Sequence, residues 1–379
     1  MPLMRGKFQL FACRSGLKYA EELVKQLQEI TKERAKELEG KERLNVHERN
    51  EVELIEYLGR HGARIGRTNI MAFDDGEMDI MIDAKENVRD KDVFLIQNHY
   101  NTATGLTISE NVMETFIFVD ALRRAKARSV TLVSLYFPYA RGDKQHGKDG
   151  VPAKLFAKML TTAGVDNLIT MDLHADQITG FFDPNEIRVE HLHIAPLLYH
   201  FLKDNMDEKG KITAPDVGAA KRAQKLAKAL DKSLLMAYKR RSYEKKHQVD
   251  ELKLLGLPSK EEAVIVDDIV ASGGSVIKVI DLLKEKSVKK VSVACAHALL
   301  TGKAIERFDI MYADKNNPFQ RLIATDTVPH NGTLKNKPWY VELNTTKYLA
   351  KALYEIHTSG SLTPIHEMDS VEKHNLWID

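Results

Sequence analysis

Two cysteines in 379 residues, Cys13 and Cys295, are too few for a disulfide framework. Cys295 lies inside the apolar run VSVACA, where a buried thiol is the ordinary outcome, so a reducing, cytoplasmic setting is expected. No run approaches the roughly 18 apolar residues of a spanning helix, and the opening MPLMRGKFQLFACRSG has no long apolar core; neither a membrane span nor a leader is expected. An excess of one charge is also missing: 56 Lys and Arg stand against 54 Asp and Glu, a net +2. So small a balance provides no overall field for nucleic acid or a membrane surface. What remains, 43% apolar and 29% charged residues, suits a soluble globular protein with length enough for two domains.

Strand and helix patterns alternate along most of the chain. Phe8 to Ala12 reads as a strand, and Leu17, Ala20, Leu23, Val24 and Leu27 mark the helix after it. Thr31 to Asn50 is almost all charged and predicts a solvated helix or exposed insertion without chemistry. Thr68 to Ile82 reads as one strand carrying Phe73, Asp74, Asp75, Gly76 and Glu77. Val93–Gln97, Val130–Phe137 and Asn167–Met171 follow as strands, with helices from Asn111 and over Ala153–Thr162. After Phe182-Asp183-Pro184 the plan begins again, with a helix near Ile194–Leu202. Further strands are expected at Leu234–Tyr238, Ala263–Val266, Val291–Ala296, Ile310–Tyr312 and Leu322–Thr325. An α/β protein is expected, with two copies of one mainly parallel sheet flanked by helices, at 1–185 and 186–344. The tail, 345–379, is a candidate to pack back on the first copy.

The chemistry concentrates in Ala263 to Lys286, AVIVDDIVASGGSVIKVIDLLKEK. A β-branched strand leads through Asp267 and Asp268 to a Gly273-Gly274 turn, and Val276, Val279, Ile280 and Leu283 then recur at helical spacing. The glycines admit backbone conformations closed to other residues, and the free N–H groups of a helix start point into the loop. Ser272 and Ser275 add hydroxyl donors. Alone, such a turn also fits a solvated loop; the strand, the helix and the paired acids favour a phosphate cradle, with the acids on sugar hydroxyls or a cation. Other polar clusters also follow strands: Arg141, Asp143 and Lys144; Asp172, His174 and Asp176; Asp216; and Lys239, Arg240 and Arg241. Ligands of open parallel sheets gather at such strand ends.

Together these motifs resemble the ribose-phosphate diphosphokinase, or phosphoribosyl diphosphate synthase, family over roughly residues 70 to 330. Phe73 to Glu77 is similar to its Phe-x-Asp-Gly-Glu, Tyr136 to Lys144 to its Tyr-Phe-x-Tyr-Ala-Arg-Gln-Asp, and DLHADQITGFF to its Asp-Leu-His-Ala-x-Gln-x-x-Gly-Phe-Phe. DVGAAKRA, KRR and the Asp-Asp loop complete the match. The resemblance implies two tandem phosphoribosyltransferase-like domains, the first on the ATP side and the second on the ribose 5-phosphate side. It implies transfer of the diphosphoryl group of ATP to the 1-hydroxyl of ribose 5-phosphate, with magnesium and release of AMP. By position, Phe73, Asp75 and Glu77 would meet adenine near a contact between subunits of a homo-oligomer, and Arg141 would hold ATP phosphates. His174 and Asp216 would sit at magnesium sites, His174 also serving catalysis. Lys239 and Arg241 would act from a mobile catalytic loop. Asp267, Asp268, Ser272, Gly273, Gly274 and Ser275 would hold ribose 5-phosphate.

Two positions depart from the family pattern: Gly142 stands for a glutamine beside Arg141, and Ala271 for an acid in the sugar-phosphate loop. A non-catalytic paralogue that binds a true synthase would keep the fold but break the metal and cation positions, and here His174, Asp216, Lys239 and Arg241 all remain. A phosphoribosyltransferase would share the Asp-Asp loop, yet would need neither a duplicated domain nor the DLHADQ segment.

Overall fold

A computed structural model describes residues 6–145, 147–240 and 251–377. The chain opens with β1 (Lys7–Ala12), α1 (Leu17–Leu38) and α2 (Val46–His61), followed by β2 (Thr68–Ala72) and β3 (Met78–Ile82). Next come β4 (Lys91–Gln97), α3 (Ile108–Arg124), β5 (Ser129–Ser134), α4 (Pro152–Ala163), β6 (Asn167–Met171) and β7 (Arg188–Leu192). Five of these strands form a parallel sheet in the order β1-β4-β5-β6-β7. Local chemistry sets the helix limits: Thr107 and Glu110 make a reciprocal capping box at the start of α3, Pro152 opens α4, and Gly164 closes it with φ 98°.

The second half runs α5 (Ala195–Asn205), β8 (Lys211–Ala214), α6 (Ala220–Ala229), β9 (Leu234–Arg240), β10 (Glu251–Leu255) and β11 (Glu262–Val270). It continues with α7 (Gly274–Glu285), β12 (Lys290–Ala298), α8 (Ala304–Ala313), β13 (Phe319–Thr325) and β14 (Tyr340–Leu343). Seven strands pair in the order β10-β9-β8-β11-β12-β13-β14, parallel apart from the antiparallel β10 on β9. The chain ends in α9 (Thr346–Thr358), α10 (Thr363–His366) and α11 (Ser370–Lys373). Val264, Ile265, Val266, Val293, Ala294 and Ile323 are fully buried, as strands covered on both faces require. One continuous apolar cluster links Ile169 and Leu192 of the first sheet to Val266 and Ile323 of the second and to Tyr348 and Leu353 of α9.

Three expectations change. Thr68 to Ile82 is a hairpin set apart from the large sheets, because Gly76 at φ 91° turns the chain and the Phe73 N–H bonds Glu77 O across it. Ile310 to Tyr312 belongs to α8, where Ala304, Phe308 and Met311 recur at helical spacing on the buried face and Ile310 is exposed. Thr31 to Asn50 completes α1 and begins α2 and is only partly solvated: buried Glu51 takes a two-pronged ion pair from Arg34. Among the described residues no helix is long and apolar enough to cross a membrane.

Candidate active site

The C-terminal ends of β6 and β11 meet, and the polar groups that follow them face one another. Asp267 and Asp268 lie within β11, which runs four residues further than the apolar stretch alone indicates and places Asp268 in the interior. Beyond it Gly273 takes φ 76°, a left-handed conformation that would strain a side chain, and starts α7 with its carbonyl accepting the Ile277 N–H. Ser272 and Ser275 are exposed around this turn, and Arg307 donates to the Ser272 carbonyl at 3.2 Å. A glycine turn at a helix N-terminus presents backbone N–H groups suited to a phosphate.

Asp268 has two partners: His174 Nδ1 lies 2.8 Å from its Oδ2, and the Arg222 guanidinium of α6 brings Nη1 to 3.3 Å from its Oδ1. Burial alone would raise its pKa; the His174 hydrogen bond and the Arg222 charge overcome this and hold the carboxyl well below its usual range. Asp267 moves the opposite way, pushed up by burial and then by the adjoining Asp268 charge, with Asp216 adding to the effect. The His174 imidazole is raised, first by its bond to Asp268, against the effect of burial. Asp216 is exposed, and its Oδ1 accepts the Ala219 N–H at 3.0 Å, fixing the turn before α6. Asp216 and Asp268 both push the Asp267 carboxyl up, so the three acids crowd one region, and their oxygen donors suit a hard divalent cation.

The remaining candidates are less closely tied to this centre. Arg141 is exposed and makes no hydrogen bond or ion pair with another described residue. Beside it Gly142 has a steric cause: a Cβ there would meet Pro152 Cγ at 2.4 Å. Asp143 raises the His174 imidazole and accepts from Gln177 at 3.3 Å. Phe73, Asp75 and Glu77 sit in the β2–β3 turn, where Asp75 Oδ1 accepts the Glu77 N–H; among the described residues no bond or ion pair joins them to His174 or Asp268. The Lys239 backbone pairs with Leu252 near the end of β9, and Arg241 lies outside the described residues.

Three residues stand out that their sequence context does not announce. Arg222 donates to the Leu173 carbonyl at 3.2 Å as well as meeting Asp268, so it touches both halves of the centre. Its position in DVGAAKRA was visible; its reach across the fold was not. His191 on β7 and His193 just past its end bring their rings together, with centroids 4.3 Å apart. Their ring nitrogens and the Asp172 carboxylate lie within 4.8 Å of one another.

The N-terminal domain of ribose phosphate pyrophosphokinase matches residues 8–164, and the phosphoribosyl transferase domain matches residues 191–320. The ribose-phosphate pyrophosphokinase of Campylobacter jejuni is 36% identical over 297 residues, covering 78% of this chain and 89% of its own. That of Marinomonas sp. is 37% identical over 307 residues, covering 80% and 92%. The crystal structure of phosphoribosylpyrophosphate synthetase from Mycobacterium smegmatis superposes with a TM-score of 0.74 at 27% identity, over 93% of this chain and 100% of that one.

Proposed function

The chain belongs to the ribose-phosphate pyrophosphokinase family, and from that premise we propose how its residues carry out the family reaction. The protein transfers the diphosphoryl group of ATP to the 1-hydroxyl of ribose 5-phosphate, giving 5-phosphoribosyl 1-diphosphate and AMP. The observation that carries the assignment of roles is the His174–Asp268 contact at 2.8 Å, which sets the segment after β6 against the sugar-phosphate loop after β11. In this assignment residues 1–185 form the ATP side and 186–344 the ribose 5-phosphate side, with β7 of the second segment pairing into the first sheet.

Asp267 and Asp268 bind ribose hydroxyls, while Ser272, Gly273, Gly274 and Ser275 hold the 5-phosphate with backbone N–H groups and hydroxyls. This fixes the 1-hydroxyl for in-line attack on the β-phosphorus. Arg141, with no hydrogen bond or ion pair to another described residue, takes nucleotide phosphates, and Phe73, Asp75 and Glu77 take adenine from a neighbouring copy in a homo-oligomer, consistent with their exposed turn. Negative charge grows on the non-bridging oxygens during transfer, and Lys239 and Arg241 stabilise it. His174, oriented by Asp268, faces the nucleotide phosphates with its other ring nitrogen. His174, Asp216 and the Asp267–Asp268 pair would hold magnesium, which supplies charge neutralisation to the diphosphate when bound.

Incubation of the purified protein with ATP, magnesium and ribose 5-phosphate tests the function directly. AMP and phosphoribosyl diphosphate should accumulate in equal amounts. Absence of both, across several nucleotide donors and with phosphate present, refutes it.

A further inference from the structure

Leu173 has both of its backbone polar groups held by side chains from distant parts of the chain. Its N–H donates to His191 Nε2 at 2.9 Å, and its carbonyl accepts from Arg222 Nη2 at 3.2 Å. Leu173 immediately precedes His174 and follows Asp172, a non-glycine residue at φ 35°. An unfavourable backbone conformation of this kind persists where its surroundings over-determine it. The surroundings here are specific: the Asp172 N–H donates to Leu192 O at 2.9 Å, and Asp172 Oδ1 lies 3.3 Å from His193 Nδ1. The strained turn that delivers His174 is thus bound to β7 on one side and to α6 on the other.

We propose that His191 is a positioning residue: by accepting the Leu173 N–H it fixes the turn at residues 172–174 and so the placement of His174 in the reaction centre. The inference rests on the assignment of His174 to that centre. His191 must be neutral to accept this bond, and burial holds its ring down to about 4, with His193 acting in the same direction. Asp172 and Asp176 oppose that shift, and Arg222 adds to it. Lys221 of α6 in turn pairs with Asp176 at 3.1 Å. A neutral ring that accepts at Nε2 carries its proton on Nδ1, which lies 3.8 Å from Asp176 Oδ1. In that tautomer neither nitrogen of His191 has a lone pair to spare, so the grouping with Asp172 and His193 acts as a hydrogen-bonded latch and not as a metal site.

Two measurements test the inference. In protein labelled with 15N-histidine, at the pH of the assay, the His191 ring should show the Nδ1–H tautomer. An Nε2–H tautomer or a charged ring overturns the inference, and this readout needs no turnover. In steady-state kinetics, His191→Ala should lower kcat roughly ten- to a hundredfold, the scale of a small misplacement at a reacting centre, with KM for both substrates within about twofold. His191→Gln, whose carbonyl reaches the place of Nε2, should recover kcat to within about threefold of wild type. Wild-type kcat in the Ala variant, or a Gln variant no better than Ala, overturns the inference. If the Ala variant does not fold, the Gln variant and the tautomer decide. A wild-type protein that makes neither AMP nor phosphoribosyl diphosphate refutes the proposed function instead, and the tautomer still reports whether His191 holds Leu173.

Discussion

His174 Nδ1 and Asp268 Oδ2 lie 2.8 Å apart although 94 positions separate them in the chain. His174 follows β6 of the first sheet and Asp268 lies near the end of β11 of the second, so this short contact brings the ends of β6 and β11 into one centre. Arg222 reinforces the pairing by meeting Asp268 and the carbonyl of Leu173. The surrounding groups therefore behave as a unit, and substitutions within it should be strongly non-additive.

Removal of the Arg222 guanidinium leaves Asp172, Asp267 and Asp268 without the cation that faces them. Arg222→Ala should lose about 3 kcal/mol of stability, the cost of stranding buried charge. Arg222→Lys keeps the charge but cannot serve both acceptors, and should recover only part of the loss. Urea unfolding measures both; an Ala variant as stable as wild type contradicts the bridging role.

Lys239→Ala tests the transfer step. If Lys239 stabilises charge that develops only during transfer, kcat should fall roughly 100- to 1000-fold, with ribose 5-phosphate affinity by calorimetry unchanged. Unchanged turnover would remove Lys239 from the transition state.

Gly142 and Pro152 form a packing pair. Gly142→Gln pushes a Cβ against the proline ring and should cost about 1–3 kcal/mol. Addition of Pro152→Ala should return most of that loss, and thermal melting of the two variants makes the comparison. Additive losses would show that the ring is not what excludes a side chain at 142.

Asp326 carries a pH dependence. Burial pushes its carboxyl up to about 7, against the lowering effect of the Thr345 hydroxyl and N–H, which both donate to Oδ1. The folded chain therefore retains a proton that the unfolded chain releases near the ordinary aspartate value of about 4. The contribution is complete below about 4 and is lost as pH rises through the folded value. Asp326→Asn cannot ionise, so its melting temperature should gain on wild type by at least about 2 °C between about pH 5 and about pH 8. A difference independent of pH contradicts the shift.

Much of the centre was legible because its parts are local. Ala263 to Lys286 declares strand, turn and helix within two dozen residues, and the structure places each as expected, with Gly273 in the left-handed conformation such a turn requires. The alternation that indicated a duplicated α/β plan is equally local, each strand being a short apolar run beside a helix of distinct period. The hairpin at Gly76 was readable from Asp74-Asp75-Gly76, a turn signal overruled by the apolar residues on both sides.

Other features had no local signature. Ile310, Met311 and Tyr312 are too few for a period of 2 to be told from one of 3.6, and only Phe308, three residues before Met311 on the same buried face, reveals the helix. β14 is four residues long and β7, Arg-Val-Glu-His-Leu, breaks the alternation with Glu190 and His191 in succession, so neither stands out from a loop. The Leu173–His191 and Leu173–Arg222 bonds depend on strand order and on how α6 lies across the fold. Gly142 reads as the loss of a glutamine until Pro152 is seen in the space.

The last long helix has a consequence for synthesis. α9 is made after the whole second sheet, yet Tyr348, Leu349 and Leu353 complete the apolar layer that Phe8, Tyr19, Leu23 and Leu27 begin, and His357 packs edge-on to Phe8. The first sheet therefore emerges from the ribosome with one flank bare and stays so until α9 has followed the whole second sheet. At translation speeds of about 5–20 residues per second, that interval lasts roughly ten seconds or more. Throughout it α1 presents an uncovered apolar stripe, and closure of that flank waits on α9.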